Sequence, residues 1–71
     1  MKFRDFIRIL EGEGFKFDRH KDTHHFYVGV VNGIKCVVNC DYNQLGEDIP
    51  THNLASMIRQ SGLPKRKFRG G

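Results

Sequence analysis

Six consecutive residues, Asp22-Thr23-His24-His25-Phe26-Tyr27, set a hydroxyl, two imidazoles and two aromatic rings directly behind the basic triplet Arg19-His20-Lys21. Imidazole is the one side chain whose ordinary pKa lets it take and give protons near neutral pH. Cations beside it can hold a phosphate. The pattern therefore suggests proton transfer next to a bound phosphate, and a chain of 71 residues has room for one such site.

The elements that must position these residues follow from periodicity. Phe3, Phe6, Ile7 and Leu10 recur at i, i+3, i+4 and i+7, the apolar stripe of a helix. Gly14 is placed to cap it. Phe15 and Phe17 alternate with Lys16 and Asp18, which predicts a short strand with one buried face. Residues 23–31 and 33–40 are rich in β-branched and aromatic types, and Asn32-Gly33 between them is a strong hairpin signal. A two-residue turn there sets Val31 opposite Ile34, Gly29 opposite Cys36 and Tyr27 opposite Val38. Residues 41–48 are polar and turn-like. Leu54, Met57 and Ile58 mark a second amphipathic helix, entered through Pro50-Thr51 with Thr51 as N-cap and ended by Ser61-Gly62. The expected fold class is α+β, in the order α-β-β-β-α. Two helices cover one face of a three-stranded antiparallel sheet, the natural way to bury these stripes.

Bulk composition narrows the class. A hydrophobic fraction of 38% and a charged fraction of 28% are those of an ordered globular domain. No apolar run approaches the ~20 residues of a membrane span, and the first residues lack the apolar stretch of a signal peptide. A cytoplasmic protein with reduced cysteines is expected. The net charge of +4 is not spread evenly. Residues 1–63, read as one domain, carry eight basic and eight acidic side chains, so the excess lies in a basic tail, 64–71, with Lys65, Arg66, Lys67 and Arg69. Within that tail Phe68 is free to dock back on the domain, and the terminal Arg69-Gly70-Gly71 carries no functional weight.

Several residues, in order, resemble the HicA family of bacterial toxins. They are Leu10 through Gly14-Phe15, then Arg19, then Thr23-His24-x-x-Tyr27. Gly46-x-x-Ile49 follows, and then Ile58-Arg59-Gln60-Ser61-Gly62-Leu63. The resemblance spans nearly the whole chain. It implies small ribonucleases on a double-stranded-RNA-binding-like fold, a catalytic role for His24, messenger RNA as substrate and a HicB-type antitoxin that covers the histidine. One departure is Asp22, where the family usually has Gly. An acid there would orient or acidify the imidazole, or repel substrate phosphate.

The residues support the same chemistry. RNA carries its own nucleophile, the 2′-hydroxyl, so cleavage needs one group to remove that proton and another to protonate the leaving oxygen. A positioned imidazole contributes typically ~10²–10⁴-fold in either role. Arg19 and Lys21 are the first candidates to stabilise charge on the phosphate oxygens. Lys35, on the same side as His24 but nearer the turn, is a third. Thr23 is a further RNA-binding candidate through its hydroxyl, which otherwise bonds backbone. The plain alternative for His24 is a surface strand residue. His25 and Tyr27 point to the opposite face, because side chains alternate along a strand, and are expected to pack or bond backbone; His20 and His52 read as surface residues.

No cofactor and no metal are expected. Cys36 and Cys40 stand about 13 Å apart along a strand, whereas a disulfide needs Cα atoms within roughly 7 Å, and zinc sites take their cysteines from tight turns. The leading reading is a metal-independent endoribonuclease neutralised by its antitoxin. The alternatives are a non-catalytic RNA-binding module and a partner-binding protein on the same fold. RNA preference and oligomeric state are not encoded in these patterns.

Overall fold

The computed structural model describes residues 1–69; Gly70 and Gly71, the end of the basic tail, lie outside the described residues. Helix α1 (Phe3–Gly12) is followed by strands β1 (Lys16–Lys21), β2 (His24–Val31) and β3 (Ile34–Asp41). Helix α2 (Thr51–Ser61) and a single 3-10 turn, Lys65–Phe68, complete the chain. The three strands form one antiparallel sheet in the order β1-β2-β3. This is the α+β arrangement the periodicities predict.

The core lies between the helices and one sheet face. Phe3, Phe6, Ile7 and Leu10 from α1 meet Phe15, Tyr27, Val38, Cys40, Ile49 and Met57, all buried. Alternation carries the odd positions of β2 and the even positions of β3 to this side. Asn32 (φ 52°) and Gly33 (φ 78°) both adopt the left-handed conformation of the two-residue hairpin turn. The register is the expected one: Val31–Ile34, Gly29–Cys36 and Tyr27–Val38. Gly29 is required by packing, since a Cβ there would sit 2.6 Å from the Phe15 ring.

Two local expectations are corrected. Phe17 is not on a buried face but 51% exposed, because β1 is an edge strand beyond the reach of the helices; Phe15 takes the buried place. Thr51 does not cap α2. Pro50 occupies the cap position with extended backbone, no side chain caps the helix, and Thr51 is already its first residue. Within the basic tail Phe68 docks back on the domain. Phe68 is buried, its ring 4.6 Å from that of Phe6, and Lys67 pairs with Glu13 at 3.3 Å.

The polar segment after β3 closes the start of α1. The first N–H groups of a helix lack partners within it, and here Leu45 and Glu47 carbonyls accept from Arg4 and Phe3. Glu47 in turn accepts from the Asn43 and Gln44 N–H groups through its carboxylate. A loop without periodicity thus substitutes for a capping side chain.

Candidate functional site

A β-bulge decides which side chains gather. Phe17 pairs with Tyr27, but Arg19, not Asp18, pairs with Phe26, so Asp18 is the extra residue. Without this shift, strict alternation would put Arg19 and Lys21 on the same side as Phe17, toward the helices. The bulge instead turns them onto the open face, a re-aiming such irregularities commonly perform. The open face then reads as rows across the sheet: Lys21–His24–Asp41, Arg19–Phe26–Asn39, Lys16–Val28–Val37 and, beyond β1, Val30–Lys35.

His24 occupies the middle of the first row, its side chain 45% exposed. Asn39 Oδ1 lies 3.1 Å from its Nδ1. An amide oxygen only accepts, so this contact is a hydrogen bond in the tautomer that carries its proton on Nδ1, which leaves Nε2 to exchange protons. Asp41 Oδ2 stands 4.0 Å from Nε2. The other Asp41 oxygen accepts from the Thr23 hydroxyl. Imidazole, carboxylate and hydroxyl thus form one chain. Helix α2 packs along β3, and Asn39 N–H donates to Gln60 Oε1 at 2.9 Å. Asn53, Ser56 and Gln60 overhang the row, closing a cleft of about 190 Å³ that His24, Asn39, Asp41 and Met57 also line.

The sequence-derived site residues fall into three groups. Lys21 is the cross-strand neighbour of His24, and such neighbours have Cβ atoms about 5 Å apart. Arg19 is one row away, its guanidinium 4.5 Å over the Phe26 ring and its Nη1 2.8 Å from Asp18 Oδ2. Lys35 is not brought to the histidine: it pairs with Val30, six residues along β2 and so about 20 Å distant. The Thr23 hydroxyl, a candidate for binding RNA, donates to Asp41 instead, because the turn between β1 and β2 ends beside the last residue of β3. Asn39 and Asp41 were missed. Their only sequence signal was parity, which puts both on the His24 side of the hairpin.

Asp22 is not the acid that faces the imidazole. It sits in the β1–β2 turn at φ 55°, a left-handed conformation in which Gly is strain-free and Asp is among the better-tolerated alternatives. On the other face His25 stacks on Tyr42, ring centroids 3.9 Å apart, with Nδ1 3.3 Å from the Cys40 carbonyl. Burial pushes the Cys40 thiol up to about 12, which leaves it unreactive as a thiolate at neutral pH. Among the described residues no three His, Cys, Asp or Glu side chains converge as a metal site, and no helix is long and apolar enough to cross a membrane.

The family model for the HicA toxin of bacterial toxin–antitoxin systems matches residues 3–63. The chain belongs to the HicA family. Its general role is that of the toxin in a toxin–antitoxin pair, with an antitoxin as partner, and the match runs from the start of α1 past the end of α2. No protein of curated function and no solved structure matches the chain.

Proposed function

We propose that this HicA-family chain is an endoribonuclease that cleaves messenger RNA in the cytoplasm without a metal, and that a HicB-type antitoxin neutralises it. The observation that carries the reading is the row Asn39–His24–Asp41–Thr23 at the mouth of an open cleft, hydrogen-bonded at its two ends and joined in the middle by the 4.0 Å approach of Asp41 Oδ2 to His24 Nε2. His24 Nε2 removes the 2′-hydroxyl proton, or protonates the departing 5′ oxygen. Asn39 holds the ring, and Asp41 stabilises the imidazolium that forms. Lys21, next to His24, neutralises the phosphate oxygens as their charge grows. Arg19 meets the strand one row further on, and Lys35 is an outlying phosphate contact.

The donor set favours this chemistry over metal-assisted hydrolysis, which needs converging ligands to hold an ion and generate hydroxide. Cleavage of single-stranded RNA by purified protein should therefore proceed at an undiminished rate in EDTA. Activity that vanishes with the chelator and returns with magnesium would overturn the mechanism. The rival reading, RNA binding without cleavage, predicts salt-dependent binding and intact RNA under the same conditions.

A further inference from the structure

An open sheet face that only meets water is expected to alternate toward polar residues. The open face here does not. Phe26 lies in its second row with Val28 behind it, and Val30 (66% exposed) and Val37 (41% exposed) extend the apolar strip toward the hairpin turn. Lys16, Arg19, Lys21 and Lys35 flank the strip, while the one acid in the rows, Asp41, is engaged by Thr23 and His24. A strip of this kind, apolar along the middle and cationic at the rim, fits a strand that offers flat bases and charged phosphates together.

The two planar groups beside the histidine are already arranged for stacking. The Phe26 ring is 6.4 Å from the His24 ring and inclined to it by 21°. The Arg19 guanidinium sits 4.5 Å above the same Phe26 ring and is held from the side by Asp18. We infer that the Arg19–Phe26 pair is a base-stacking platform, and that the substrate is unpaired RNA whose nucleotide next to the scissile phosphate lies on this pair. The inference rests on the ribonuclease reading of His24 and adds the class of RNA. A duplex keeps its base faces stacked inside, where a flat protein surface cannot meet them; unpaired bases stack on aromatic rings and on guanidinium planes. The platform thus selects single strands over duplexes.

The test separates stacking from cleavage. A 2′-O-methyl oligoribonucleotide carrying 2-aminopurine has no 2′-hydroxyl nucleophile, so it reports binding and stacking whether or not the protein is a nuclease. Wild type should bind it and quench its fluorescence, and should bind the matching duplex much more weakly. Phe26→Ala should lose the quench and about 5- to 150-fold in affinity, the range for one lost base-stacking contact. Phe26→Tyr should keep both. Arg19→Lys should keep the salt dependence and lose most of the quench. Thermal midpoints of all three variants confirm folding. Undiminished quench in Phe26→Ala, or a duplex bound as tightly as the single strand, would overturn the platform. A Phe26→Ala protein that handles RNA as wild type does but no longer binds its antitoxin would also overturn it, making the strip a protein-docking surface. If the platform fails while natural RNA is still cleaved, the catalytic reading of His24 stands.

Discussion

Asp41→Asn isolates the charge beside the imidazole from the geometry that holds it. The amide oxygen can still accept from Thr23, so the turn should keep its shape, yet nothing negative then faces Nε2 at 4.0 Å. Cleavage should fall about tenfold, a barrier increase near 1.4 kcal/mol, with RNA affinity unchanged or improved because a carboxylate has left the phosphate site. Single-turnover rates beside binding titrations check this; an unaltered rate would remove Asp41 from the mechanism. At this scale the sequence offers the proposed reacting group but not its supports. His24 announces itself by type and by its neighbours in the chain. Asn39 and Asp41 are 15 and 17 residues away, on a strand whose polar positions look like ordinary solvated ones until the register is fixed.

Gly29 belongs to the element scale, because it joins β2 to the Phe15 segment rather than to any ligand. Its missing Cβ leaves room for a fully buried ring at what would be a 2.6 Å contact. Gly29→Ala should destabilise the fold by about 1–3 kcal/mol, the usual range for an overfilled core, with cleavage by the folded fraction unchanged. Urea unfolding followed by circular dichroism measures it, and a neutral substitution would mean that Phe15 can move aside. Helices and strands were readable because hydrophobic period and turn chemistry agree along the chain, most clearly at Asn32-Gly33. The bulge at Asp18 was not readable. It breaks the alternation that strand reading depends on, and the same break turns Arg19 and Lys21 toward His24.

At the scale of the whole molecule, charge and core overlap at the C-terminus. The tail holds the net charge of +4, yet Phe68 within it is 6% exposed and stacked on Phe6. Removing residues 65–71 would therefore change stability and electrostatics at once. Phe68→Ala should cost about 3–5 kcal/mol, as for other buried aromatic truncations. Lys65→Gln with Arg66→Gln should leave the thermal midpoint nearly unchanged, while the log–log salt slope of RNA binding shrinks by about 0.7 for each lost phosphate contact. An unchanged slope would confine the electrostatics of binding to Lys21, Arg19 and their neighbours on the sheet. The location of the charge was plain in the sequence. That the same segment also closes the core was not, because a lone aromatic among cations has no period to betray it.

The central claim is that His24 performs the chemistry, and one comparison tests it. Wild type and His24→Ala are assayed side by side for cleavage of single-stranded RNA in EDTA, with thermal midpoints taken on the same preparations. The side chain is half exposed on the open face, so its loss should change stability by no more than about 0.5 kcal/mol. The cleavage rate should fall by at least about 10²-fold. His25→Ala, a change on the helix-covered face where the ring stacks on Tyr42, should do the reverse, lowering the midpoint more than the rate. A folded His24→Ala protein that cleaves as fast as wild type would contradict the account and leave RNA binding or partner binding as the work of this surface.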